Sequence, residues 1–263
     1  MVGHNGRYLF GGDKPWDAAE FTSSDDRVRG GKSQSYLTPV TNDHHHHHHH
    51  DDDDRQSGKG PRAEFSGNLD ITALGGAGFA SQRTVDGFPG WDLSGYDTLV
   101  IDVAHGDDRK YTITLKDEVL PKMPDGREQS TISWEYDFIV GGGGSGTGNG
   151  GNGGSHKLVI PFREFKPTYR GKPKPDAEPL DLTNVKRFSF MMRSFFGAQE
   201  GDFSLVLNYV AAEKHAEDKA RDHSMDSVDS VEDAKIAQED TAQKSSNRNT
   251  SGSWIARLCG WGR

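Results

Sequence analysis

With 263 residues, 32% of them hydrophobic, and a formal charge of −9, the chain has too little apolar side chain to be packed throughout, so a folded core must sit beside polar stretches. The acidic balance excludes general nucleic-acid binding, which needs Lys and Arg clustered against phosphates. The single cysteine, Cys259, excludes an internal disulfide and points to a reducing compartment, and without an apolar run of about eighteen residues there is no candidate spanning helix.

At the N-terminus, Asp13, Asp17, Glu20, Asp25 and Asp26 sit among the few basic residues. That pattern is neither a secretory signal nor the acid-poor composition of a mitochondrial presequence. Gly30-Gly31-Lys32-Ser33 looks like the end of a phosphate-binding loop. Such a loop needs a buried strand before it and a helix after it, whereas Gln34 to Leu37 has the pattern of a strand. A glycine turn feeding a strand is the better reading. An insertion over 41–60 follows, with seven histidines flanked by aspartates. A defined zinc site needs few ligands at fixed geometry with a supporting shell. His44, His45, His46, His47, His48, His49 and His50 therefore predict a solvated loop with weak adventitious Zn²⁺ or Ni²⁺ binding, and no metal site or cofactor is expected.

From residue 62 to residue 210 the dominant signal is period two. Phe65, Leu69 and Ile71 share one parity, as do Leu99, Ile101 and Val103; then Tyr111, Ile113 and Leu115; Ile132, Trp134, Tyr136 and Phe138; Leu158, Ile160 and Phe162; Phe188, Phe190 and Met192; and Phe203, Leu205, Leu207 and Tyr209. Strict alternation puts one set of side chains on one face of a strand. Polar partners on the other face predict a wet side for each sheet and antiparallel pairing. Between the strands, Gly76-Ala77-Gly78-Phe79 faintly suggests a dinucleotide fingerprint, but Gly87-Phe88-Pro89 follows too soon for a crossover helix. His105-Gly106-Asp107-Asp108 has the composition of a hairpin turn. Pro124-Asp125-Gly126 and Gly197 to Gly201 punctuate in the same way. The tract over 141–155 is Gly, Ser, Asn and Thr with scarcely another residue type, a flexible coil that a sandwich carries as a loop. Lys172-Pro173-Lys174-Pro175 forms a stiff basic connector.

From Ala211 to about Gln243 the residues are helix formers of mixed charge with a thin apolar stripe, which predicts a short fraying helix or disorder. The end, Trp254 to Trp261, is apolar, aromatic and basic. It suits docking on the domain, on a partner or at a membrane interface through 253–263, where Cys259 offers a palmitoylation site. The prediction is thus an all-β domain over 8–212, interrupted at 41–60 and 141–155, with a polar, disordered or partly helical tail over 213–263.

Four segments in order resemble the complex I intermediate-associated protein family. They are Ser24-Asp25-Asp26-Arg27-Val28-Arg29-Gly30-Gly31-Lys32-Ser33-Gln34-Ser35; Ala63 to Leu69 with Gly76-Ala77-Gly78-Phe79-Ala80-Ser81-Gln82-Arg83; Asp92 to Asp97 with Gly106-Asp107-Asp108-Arg109-Lys110-Tyr111; and Ile160 to Gly171. The resemblance runs from Trp16 to Val210, less the two insertions. It implies a galactose-binding-like jelly-roll β-sandwich without catalytic residues. The implied role is chaperone-like, binding complex I subunits or assembly intermediates in mitochondria. The missing presequence leaves the cytoplasm as the alternative address. Arg29, Gly30, Gly31, Ser33, Arg83, Arg109, Tyr111 and Arg170 are the matched motif positions, and each has a partner-binding and a structural reading. For the arginines the structural one is ion pairs that tie the Gly-Gly segment to the sandwich. The rival function is a carbohydrate or small-ligand binding module of the galactose-binding-like class, although a secreted sugar binder ordinarily carries a signal peptide and disulfides.

Overall fold

The computed structural model describes residues 6–40, 60–141 and 156–214. The histidine tract, most of the glycine tract, and the tail with Cys259 and the Trp254–Trp261 segment lie outside the described residues. In chain order the strands are β1 (Gly6–Gly11), β2 (Phe21–Ser23), β3 (Gln34–Val40), β4 (Arg62–Leu69), β5 (Phe79–Thr84), β6 (Thr98–His105), β7 (Lys110–Lys116), β8 (Ser133–Ile139), β9 (His156–Pro161), β10 (Lys166–Tyr169), β11 (Lys172–Pro173), β12 (Arg187–Arg193) and β13 (Gly201–Glu213). Among the described residues the helices are single 3-10 turns, and none is long and apolar enough to cross a membrane.

The strands form two antiparallel sheets. One runs β3-β4-β13-β6-β9, with β1 also on β13; the other runs β11-β10-β8-β7-β12-β5-β2. The chain passes repeatedly from one sheet to the other, as in a jelly-roll sandwich. Inward side chains of the alternating runs fill the space between the sheets: Phe65, Leu99, Ile101, Ile113, Leu115, Phe188, Phe190, Met192, Leu205 and Leu207 are each fully buried. Aromatic rings dominate the middle of this core. Phe10 packs within 5.4 Å, between ring centres, of Phe21, Trp91 and Phe188, and Trp16 donates its indole N–H to the Asn208 carbonyl at 3.0 Å. Rings of this size remove large apolar area from water in few residues, which is how a chain so poor in apolar side chains still builds a core.

Three sequence expectations are corrected. The 105–108 turn is no hairpin: β6 pairs with β13 and β9, while β7 pairs with β12 and β8, so the turn carries the chain from one sheet to the other. Asp107 sets that crossing, accepting from Tyr111 Oη at 2.8 Å and from Ser204 N at 2.8 Å. The outer face of the second sheet is not wet: Thr112, Thr114, Ser189, Arg83 and Arg187 all lie below 9% exposure. Long ion-paired side chains and the 118–131 segment cover it. Ala211 and Ala212 do not begin a fraying helix but belong to β13, fully buried and paired with β6 and β1.

The first insertion joins two strands that already pair, with Val40 opposite Arg62. The closure it must perform is therefore set by β3 and β4, not by its own sequence. Replacing 41–60 with a Gly-Ser linker a quarter as long, two halvings at about 0.6 kcal/mol each, should raise stability by about 1 kcal/mol. A urea unfolding series measures this, and a loss of stability would mean that the tract packs on the domain.

Candidate functional site

The first matched motif lies where the chain leaves β2 in one sheet and enters β3 in the other. Asp25 and Asp26 sit at this crossing, at 6% and 0% exposure. Asp25 accepts from Ser35 Oγ at 2.6 Å, Ser35 N at 3.2 Å and Ser81 N at 2.9 Å. Asp26 accepts from Ser33 N at 3.1 Å, Ser33 Oγ at 2.7 Å and Phe79 N at 3.1 Å. Ser35 belongs to β3, and Phe79 and Ser81 to β5, so the two carboxylates bridge the sheets. Burial pushes the Asp25 carboxyl above its ordinary value, against the pull of its hydrogen bonds to Ser35 and Ser81. A Cβ at Gly31 would collide with the Asp26 carboxylate, whereas Gly30, at φ +85°, has open space around it. Gly31 is needed for room and Gly30 for a left-handed turn.

The Gly-Gly segment is thus tied by carboxylates to backbone and serine donors. Arg29 lies over the Phe79 ring at 5.4 Å. Arg109 donates to the Glu200 carbonyl and stands 3.9 Å from Asp107. Burial, reinforced by its bond to Asp107, pushes the Tyr111 phenol far up. Arg170, at φ +51°, donates to Ser130 Oγ at 3.1 Å. Arg83 is 8% exposed and pairs with Asp86 and Glu128. The eight motif positions therefore separate into three places: Arg29, Gly30, Gly31 and Ser33 at the crossing; Arg109 and Tyr111 at the Asp107 corner; and Arg83 and Arg170 against the 128–130 segment.

Two further features were not singled out in the sequence. On the outer face of the second sheet, Arg187 joins Arg83 in sharing Asp86 and Glu128, and Arg193 pairs with both Glu135 and Asp137 at 2.8 Å. Beside them Lys116 donates to Thr131 Oγ1 at 3.0 Å and to the Thr131 carbonyl at 3.1 Å. Burial first, and then the Arg187 charge, lower its ammonium to about 8. The second feature is the tip after β12. Phe195 and Phe196 both take positive φ, +45° and +62°, and Phe196 is 100% exposed. Gln199 pins the tip by donating to the Lys110 carbonyl at 2.8 Å and the Arg193 carbonyl at 2.7 Å while accepting from Lys110 N. The Phe195 ring lies 4.2 Å from the Lys110 ammonium and 4.7 Å from the Arg193 guanidinium. The sequence signal was present: two bulky aromatics directly before a glycine turn.

Among the described residues, no three His, Cys, Asp or Glu side chains gather as metal ligands do. What the site offers chemically is fixed carboxylate clasps, a charged sheet face and one apolar tip.

Residues 9–207 match the model of the family described as Complex I intermediate-associated protein 30. An uncharacterized protein of Schizosaccharomyces pombe is 39% identical over 204 residues, covering 78% of this chain and 82% of that one. Among solved structures, the family 11 carbohydrate-binding module of a cellulosomal cellulase of Clostridium thermocellum is similar at a TM-score of 0.49 and 14% identity, covering 81% of this chain and 97% of that one. The same module in complex with a β-1,3-1,4-mixed-linked tetrasaccharide gives 0.46 and 14%, over 74% and 89%.

Truncating Asp26 to Ala leaves the Ser33 and Phe79 N–H groups without their acceptor, while Ser33 Oγ keeps the Asp70 carbonyl at 3.3 Å, so the unfolding free energy should fall by about 3 kcal/mol. Gly31→Ala should be severe as well, while Gly30→Ala should cost only about 1 kcal/mol of backbone strain; comparable losses for the two glycines would contradict the clasp. The depressed Lys116 ammonium has a definite sign in stability. The folded state pays for burying its charge in full below about pH 8. That cost is relieved as pH rises from there toward the ordinary lysine value, because the unfolded chain then binds more protons. The stability of the native chain minus that of Lys116→Met should therefore increase through this window in chemical denaturation at stepped pH, and a flat or falling difference would overturn the assignment.

Proposed function

The chain belongs to the Complex I intermediate-associated protein 30 family, and from that premise we propose that it is a non-catalytic, chaperone-like assembly factor that binds assembly intermediates of mitochondrial respiratory complex I. The observation that carries the reading is the extent of the match, 9–207, which takes in every strand from β2 to β12 and both insertions.

The geometry supports binding over catalysis. Titratable groups at the matched motifs are spent on holding backbone: Asp25, Asp26 and Asp107 each accept buried or half-buried N–H groups. The contact we assign to a partner is the Phe195–Phe196 tip. Bulky residues at positive φ cost of order 1–3 kcal/mol each, and such strain persists where the surroundings hold it and function uses it. Here the surroundings are the Gln199 bonds and the two cations on the Phe195 ring, and what they hold out is a bare phenyl ring. A rigid exposed aromatic is the kind of anchor that fills a pocket on a partner.

Full-length chain, affinity-captured from cells assembling complex I, should bring down NADH dehydrogenase subunits and fractionate with mitochondria. Phe196→Ser should lose most of that recovery with an unfolding midpoint within about 0.5 kcal/mol of the native chain, as for an exposed position. If no such subunits are recovered while an oligosaccharide is retained on a glycan array, the carbohydrate-module reading replaces this one.

A further inference from the structure

Where β7 ends and β12 begins, the outer face of the second sheet opens into a cleft of about 530 Å³ between the 85–89 and 119–131 segments. That size accepts a small organic molecule. Its charges do not balance. Lys116, Lys122, Lys186 and Arg187 line it against two carboxylates, Asp86 and Glu128. Both carboxylates are already heavily shared: Asp86 pairs with Arg83 at 3.1 Å, Arg187 at 3.1 Å and Lys122 at 2.9 Å, and Glu128 pairs with Arg83 and Arg187.

Three cations thus compete for two anions before Lys116 and Lys186 are considered. The Lys116 hydrogen bonds go to neutral oxygens, Thr131 Oγ1 and the Thr131 and Ile132 carbonyls. Glu128, Glu135 and Asp117 act on its charge from further off and Arg187 opposes it. Arg187, at 6% exposure, and Arg83, at 8%, each hold a buried Nε with no hydrogen-bond partner among the described residues. Crowding cations out of water costs free energy unless an anion joins them. Apart from Gln129 and Thr131 the remaining wall is apolar, with Phe88, Pro89, Leu120 and Pro121.

We propose that this cleft binds a small organic anion, with a carboxylate or phosphate head against Lys116 and Arg187 and an apolar body against Phe88 and Leu120. The inference is independent of complex I: it rests on the cleft alone, and it stands or falls in a purified system. An anion beside Lys116 restores its affinity for the proton, so binding above about pH 8 takes up protons.

The probes are octanoate and octyl phosphate, with octanol as the uncharged chain and inorganic phosphate as the head without a chain, titrated calorimetrically into the full chain. One octyl anion or both should bind saturably, at least about tenfold tighter than octanol or inorganic phosphate, since a charge-assisted hydrogen bond is worth about 1.5–3 kcal/mol. The stronger of the two identifies the head group. Affinity should fall between pH 7 and pH 9.5, with buffer-dependent heats that report proton uptake. Lys116→Met should remove about tenfold, and Leu120→Ser should weaken the octyl anions while leaving inorganic phosphate unchanged. Leu120 is exposed, so the second variant tests the cleft without touching the ion pairs. Octanol binding as tightly as the anions, inorganic phosphate binding as tightly as octyl phosphate, no saturable anion binding, or an unchanged affinity in Lys116→Met would each overturn the proposal.

Discussion

Two adjacent buried carboxylates decide how the halves of this sandwich meet. Asp25 and Asp26 together take six donors, from Ser33 and Ser35 on the β3 side and from Phe79 and Ser81 in β5. A buried charge is tolerable only when hydrogen bonds replace its lost water, and here those bonds come from both sheets. The start of β5 is fixed in consequence, and more hangs from it. Gly78 offers its carbonyl to Ser194 N at 2.9 Å, and Phe79 pairs in register with Arg193. The base of the 194–199 tip is therefore set by the same clasp that closes the sandwich.

The protein uses charge in two opposite ways. At the clasp the anions are satisfied one donor at a time, three to each carboxylate, by the chain's own serine and backbone groups. On the outer face of the second sheet the cations outnumber their partners, and the deficit is concentrated at one end, around Lys116 and Arg187. Buried ion pairs are weak evidence of stability, so the Arg83–Glu128–Arg187–Asp86 ring is better understood through what it positions. It holds the 118–131 segment over the sheet and orients the lining of the cleft.

Much of the fold was legible because burial of one face imposes period two on the chain: each of the seven alternating runs from Phe65 to Tyr209 falls on a strand, with Ile71, Ile132 and Phe162 just beyond the strand ends. The expectation of a wet outer face failed at Thr112, Thr114 and Ser189. Alternation reports polarity, and a polar residue under a canopy of ion pairs is buried all the same. The turn at 105–108 failed for a related reason. Glycine and aspartate announce a reversal but not whether the next strand returns to the same sheet. At the candidate site, the motif around Asp25 and Asp26 was visible as a motif, with its carboxylates passed over in favour of the neighbouring arginines. Lys116, Glu128 and Arg187 were not visible at all, being brought together only by strand pairing, with Arg187 opposite Lys116.

Strand register also separates the two proposed surfaces. β12 begins at Arg187, in the cleft, and ends at Arg193, at the foot of the Phe195–Phe196 tip. At about 3.3 Å per residue, that run puts roughly 20 Å between them. The clasp, the Asp107 corner and Gly141 lie toward the tip, because β3, β7 and β13 begin there and β8 ends there. Val40 and Arg62, which flank the histidine insertion, lie toward the other end. Sites this far apart with no shared partners respond to substitution additively. A partner seated on the tip and an anion in the cleft could then influence each other only through the rigid strand between them, and Phe188 and Phe190, fully buried on that strand, leave it little freedom to move.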